Sequence, residues 1–253
     1  MENRDAILRR VRALMDARQA GLLGGAKMPE DENPGLDPAS AANYMYFTLP
    51  MALNYQRSSY MLWECANRMY RDGAARIVFD SRAAVSMPEE QLREILVRYK
   101  VALQPHKQPL IWRQLCRTVE EKLDGDIRTL FSRNDFSVQR IKETIAANRR
   151  DFPYLGGTKI LNYWLYVLEQ YTDARFTDRE CITVAPDTHV IQASRRLGVL
   201  SEEEAQRADA QLLLAARWSE LLQGTEIQPI DVHTPLWLWS HGKFAFDLEA
   251  SVL

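Results

Sequence analysis

The chain has 253 residues, 46% of them apolar and 26% charged, with a formal net charge of −2. That balance excludes a disordered or fibrous chain and fits one sizeable core, or two lobes sharing one. It lacks the overall basic excess of most duplex binders, and no apolar run approaches the roughly 18 residues of a membrane span.

In chain order, Ile7, Val11, Leu14 and Met15 fall at helical spacing and predict an amphipathic helix over Asn3 to Gln19. The segment "GLLGGAKMPEDENPGLDP", rich in glycine, proline and acids, predicts a flexible loop from Gly21 to Pro38, with helix resuming at Ser40. Further helices are expected over Ser58 to Tyr70, Pro88 to Tyr99, Pro109 to Leu123 and Val138 to Asn148. Ser86 with Glu89 reads as a capping box for the second of these, and Ser137 as the N-cap of the last. A helix from Thr158 to Tyr171 follows, then a loop through Thr183, shorter helices after Pro186, a long helix from Glu202 to Leu222, and a final apolar helix, "TPLWLWSHGKFAF". Strand signals are confined to "ARIVFD" and "CITVA", so the expected class is all-α. Two lobes are expected, one of residues 1–70 plus 200–253 and one of residues 71–199, the latter holding a helix-hairpin-helix element at 138–171.

The opening "MENRDAILRR" has no secretory signal, so a cytoplasmic protein is expected, associated with the nucleoid if the source is prokaryotic. Cys65, Cys116 and Cys181 are odd in number and scattered, which predicts reduced thiols. The four histidines, His106, His189, His233 and His241, show no zinc-ligand spacing, and neither metal nor organic cofactor is expected. Although the net charge is low, basic residues gather at Arg140, Lys142, Arg149, Arg150 and Lys159 and again at Arg195 and Arg196. A local basic face is compatible with this pattern, as is a solvated helix surface.

The stretch "DFPYLGGTKILNYW" carries the chemistry. Gly156 and Gly157 permit positive φ and close backbone approach, so that the N–H groups of the hairpin and of the next helix can grip a phosphate. Lys159 then stands in the first turn of an apolar helix, where the dipole disfavours an ammonium ion and favours an amine nucleophile. Asp187, 28 residues further on, follows a proline at the start of another helix. An amine and a carboxylate beside a phosphate-gripping hairpin are the parts needed to displace a base from a sugar: the amine adds to C1′ and the carboxylate stabilises the positive charge that develops there.

The pattern "LGGTK … VAPDTHVIQASRRLG" resembles the helix-hairpin-helix DNA glycosylase superfamily, with its hairpin lysine and downstream "PVDTHV"-like aspartate. It is most similar to the archaeal 8-oxoguanine DNA glycosylase branch, whose lysine is likewise followed by "KILNY" and which carries a later "TLLWL"-like run, here "TPLWL" from Thr234 to Leu238. The resemblance covers Phe152 to His241 and, more weakly, "LNYQRSSYMLWE", which is similar to the superfamily's gap-filling "LSQQTS" segment.

That resemblance implies a monomeric glycosylase and AP lyase that flips an oxidised purine, 8-oxoguanine, out of damaged double-stranded DNA. It makes Lys159 and Asp187 catalytic, puts Gly156, Gly157 and Thr158 on the DNA backbone, and assigns Gln56, with Arg57 beside it, to the gap left by the flipped base. The base pocket would be Trp237, Tyr163, Trp63 and His233, where His233 replaces the branch's acid and Asp231 lies two residues earlier. Trp63, Trp164 and Trp239 are also candidates for the core, and His189 for a brace of the Asp187 helix. The superfamily's four-cysteine iron–sulfur motif is absent, so no cluster is expected. Glycosylases for another lesion or a nucleoside, and a non-catalytic helical DNA-binding module, are the competing expectations.

Overall fold

The computed structural model describes residues 3–24 and 27–251. Helices joined by turns make up the fold, with no strand among the described residues. None of these helices is long and apolar enough to cross a membrane. The chain forms two compact units, one of Met1–Lys27 with Arg179–Leu253 and one of Met28–Asp178.

In the first unit, α1 (Arg4–Gln19) is capped by Asn3 and buries Ile7, Val11 and Leu14. It packs with α12 (Ala210–Leu222) and α13 (His233–His241). The Arg4 guanidinium donates to the Leu221 and Gln223 carbonyls at 3.0 and 2.7 Å, satisfying the end of α12. α10 (Thr188–Arg196) packs along α13. The expected helix over Glu202 to Leu222 is interrupted: α11 covers only Glu202–Ala205 and is closed by a Ser201/Glu204 capping box. Before α12 begins, Arg207 pairs with Asp209 at 2.7 Å. The last helix stops at Gly242, where a Cβ would lie 3.1 Å from the Leu238 carbonyl oxygen.

The second unit has α2 (Ala41–Thr48), α3 (Ser59–Arg71), α4 (Ser81–Ser86), α5 (Glu89–Arg98), α6 (Gln108–Lys122), α7 (Arg128–Arg133), α8 (Val138–Ala147) and α9 (Thr158–Tyr171). Its core is aromatic: Tyr46, Phe47, Trp63, Trp112, Phe131 and Trp164 are each at most 1% exposed. The buried indoles of Trp112 and Trp164 donate to Val78 O at 2.8 Å and Thr48 Oγ1 at 3.1 Å, so this packing leaves their polar edges satisfied.

Several expectations need correction. "ARIVFD" is a 3₁₀ turn over Arg76–Phe79 followed by the Asp80 N-cap of α4, because Val78 and Phe79 enter the core from a turn and not from a sheet. "CITVA" begins in a 3₁₀ turn ending at Cys181 and continues without regular structure. Ser86 ends α4 and caps nothing; α5 starts from Pro88. The lobes, read from sequence as dividing near residues 70 and 200, are compact units dividing at 27/28 and 178/179.

The expected flexible loop is ordered where it is described; residues 25 and 26 lie outside the described residues. Its "PEDE" run forms a 3₁₀ turn over Pro29–Asp31 that clasps other elements of the second unit. Tyr163 of α9 donates to Glu30 at 3.1 Å, Tyr171 of α9 to Asp31 at 2.7 Å, and Asn67 of α3 to Glu32 at 3.0 Å.

A second acid clasp holds the start of α8. Asp178 accepts from Val138 N at 2.5 Å, Gln139 N at 3.0 Å and the Ser137 hydroxyl at 2.9 Å. Burial would raise its pKa, but these donors prevail and hold it below the usual carboxylate range. The ionised acid therefore stabilises the fold above its unfolded-state pKa, and the contribution is lost as pH falls through the lower folded-state value. We predict that Asp178→Ala costs about 1–2 kcal/mol in urea denaturation at neutral pH and less in acid. An unchanged midpoint would contradict this role.

Candidate functional site

α9 begins at a bare terminus. Its N-cap, Gly157, offers no side-chain cap, so the first-turn N–H groups, including that of Thr158, lack the usual side-chain acceptor. Open helix N-termini of this kind suit an anion. The glycines of the connection between α8 and α9 act differently from the expectation of positive φ. Gly157 is extended, at φ −76° and ψ 143°, and neither it nor Gly156 is left-handed. The left-handed residue of that connection is Tyr154, at φ 65°. Gly156 serves close packing: a Cβ there would lie 3.3 Å from Cγ2 of Ile145 on α8.

Lys159 is the second residue of α9 and is half-buried. Its ammonium makes no hydrogen bond and no ion pair within 4 Å among the described residues. One turn later on the same helix stands Tyr163, since residues four apart share a face. The register between α8 and α9 is fixed by Lys142, whose ammonium donates to Asn162 Oδ1 at 2.8 Å, while Asn162 donates back to the Thr158 carbonyl at 2.7 Å.

Tyr163 leads to a group that the sequence reading did not single out. Glu30 is 1% exposed and receives the Tyr163 hydroxyl on Oε2. Its other oxygen, Oε1, is buried without a hydrogen bond, as is the indole nitrogen of Trp63. Burial pushes the Glu30 carboxyl up to about 7, against the opposing pull of its own backbone N–H, Tyr163 and the nearby Trp63 indole. Two of the expected pocket residues thus converge on one buried acid. In the sequence Glu30 was indistinguishable from its neighbours, because an acidic run between prolines reads as solvated loop. Trp63 itself is fully buried and flanked by Tyr46 and Phe47, with ring centroids 5.8 and 5.6 Å away, and its N–H edge is directed at Glu30. Trp164 and Trp239 belong to the core, at 0% and 3% exposed.

On the turn after Leu53, Gln56 is exposed, left-handed at φ 50°, and makes no side-chain hydrogen bond among the described residues. Arg57 is committed: its guanidinium donates to the carbonyls of Val101 at 2.6 Å and Lys100 at 2.9 Å. Of the two, Gln56 alone is available to enter a gap.

The first unit carries Asp187, Trp237 and His233. Asp187 caps α10, with Oδ1 accepting from Val190 N at 2.8 Å, which leaves its second oxygen outside the cap. Trp237 is half-buried, and one face is stacked by His241 at 4.5 Å and 12°. His189 packs edge-on to both rings and its Nδ1 lies 3.2 Å from Ser240 Oγ, so it braces α10 against α13 as expected. His233 is buried at the start of α13. Asp231 pairs with Arg179 at 2.7 Å and accepts from Gln228 N at 3.0 Å, and so is engaged in structure.

The chain matches no protein-family model and no curated protein.

The Glu30 carboxyl gives a test with a defined sign. Because its folded pKa is above the ordinary 4.5, it binds its proton more tightly in the folded state, and stability falls as pH rises from about 4.5 through about 7. Glu30→Gln removes that penalty. Urea denaturation at about pH 8 should show the variant more stable, by up to about 3 kcal/mol, with the difference vanishing near pH 4. A variant less stable at the higher pH would mean that the acid is held ionised.

Proposed function

We propose that the chain is a DNA glycosylase with AP lyase activity that removes an oxidised purine, 8-oxoguanine, from duplex DNA by base flipping. The observation that carries this reading is the face of α9, which bears an amine without a counter-ion, Lys159, one turn from Tyr163 and its buried acid Glu30. A nucleophile and a polar side chain on one face of one helix meet the positioning requirement of covalent catalysis.

In this reading the Lys159 amine attacks C1′ as the glycosidic bond breaks, and the electron pair of that bond leaves with the base, which takes up a proton. Asp187 stabilises the positive charge on the sugar. Loss of the amine proton and ring opening give a Schiff base between Lys159 and C1′. Removal of a C2′ proton then expels the 3′ phosphate in β-elimination and breaks the strand. The open N-terminus of α9, with Gly156, Gly157 and Thr158, holds a phosphate, and Gln56 fills the vacated stack. Trp237, stacked by His241, is the aromatic side chain assigned to the base. In the second unit the polar edge that Glu30, Tyr163 and the Trp63 N–H form would meet the donors and acceptors of a purine, and His233 of the first unit is the remaining candidate for the base.

Single-turnover release of 8-oxoguanine from a duplex tests this directly. Lys159→Gln should abolish strand cleavage and slow base release by at least about a hundredfold, and Asp187→Asn should slow it by about 10²–10³. A Lys159→Gln protein that cleaves at the wild-type rate would exclude the amine mechanism. Release of a different lesion from a damaged-base panel would keep the mechanism and replace the substrate.

A further inference from the structure

Outside the pocket, the second unit presents an exposed aromatic pair with no role in the core. Tyr55 and Tyr154 are 51% and 37% exposed, and their ring centroids lie 6.1 Å apart at 60°. Lys107 Nζ lies over the Tyr154 ring, 4.9 Å from its centroid. Three separate segments, the turn after Leu53, the loop before α6 and the connection before α9, thus meet at one surface.

A further feature sets this surface apart. The segments that meet here carry no acid of their own: the sequence has no Asp or Glu from Asn54 to Trp63, from Ile95 to Val119, or from Phe152 to Leu168. The one carboxylate at the head of the connection before α9, Asp151, is neutralised by Lys122 at 2.6 Å. Of the bases in those stretches, Lys100, Lys107 and Lys159 make no ion pair among the described residues, whereas Arg117 pairs with Glu121 and Arg113 donates to the Met87 carbonyl, so the segments keep a local positive charge in a chain of net charge −2. Gln56, Lys100 and Tyr154 have positive φ, between 50° and 65°, as do five non-glycine residues elsewhere among the described residues.

We propose that Tyr55, backed by Tyr154 and Lys107, is a stacking platform for the base that loses its partner when the target nucleotide is flipped. The inference rests on the duplex reading above and specifies how the opposite strand is held. An aromatic ring stacks any base, and a lysine contacts any phosphate, so the protein grips the unpaired nucleotide without reading its identity.

Binding to a duplex with a tetrahydrofuran abasic analogue, followed by fluorescence anisotropy beside the intact duplex, tests the platform. Tyr55→Ala should weaken binding to the abasic duplex about tenfold and leave the intact duplex unchanged, while Tyr55→Phe retains wild-type affinity. Wild-type affinity should vary less than about threefold among the four opposite bases. Equal loss on both duplexes, no loss on either, failure of the wild type to bind the abasic duplex, or a strong preference for one opposite base would each overturn the proposal. Lys159→Gln separates it from the catalytic reading, because that variant keeps tyrosine-dependent binding. If the wild type releases no base yet shows the Tyr55 effect, the platform stands and the enzyme reading falls.

Discussion

A carboxylate taken almost wholly out of water is costly unless its lone pairs are occupied, and Glu30 has a hydrogen-bond donor on only one of its two oxygens. The second unit is arranged around that constraint. The "PEDE" turn that carries Glu30 is held by α9 through Tyr163 and Tyr171 and by α3 through Asn67. Three acids that would repel one another in a free loop are therefore each given a donor from a packed helix. What remains is Oε1 of Glu30 and the Trp63 indole N–H, both buried without a formal hydrogen bond, with the indole near enough to Glu30 to favour its ionised form.

In the proposed site, α9 supplies Lys159 and Tyr163. A helix is rigid enough to hold an amine at its first turn and a phenol at its second in fixed relation, and here both ends are anchored, by Gly156 seated against Ile145 and by Tyr171 bonded to Asp31. The charge distribution completes the picture. The net charge is −2, yet the stretches around Tyr55, Lys107 and Tyr154 contain no acid.

Much of the helical framework was legible in the sequence because amphipathic spacing extends over several turns, as in α3, α8 and α10. α4 and α7, at six residues each, are too short for that period to show. β-branched "ARIVFD" imitated a strand because the tertiary packing that turns it into a 3₁₀ segment is not encoded locally. Of the site, Lys159, Tyr163 and Asp187 could be named because each sits in a recognisable local context, at a helix start or one turn after it. Glu30, and the pairing of Tyr55 with Tyr154, were illegible because their meaning comes from partners far along the chain.

The central claim is that the Lys159 amine becomes covalently joined to a sugar carbon. Borohydride reduction of the protein mixed with a duplex containing an abasic site, followed by peptide mapping of the adduct, tests it most directly. The account predicts a stable protein–DNA complex whose modified peptide contains Lys159. Absence of any complex, or an adduct on another amine that persists in Lys159→Gln, would contradict it.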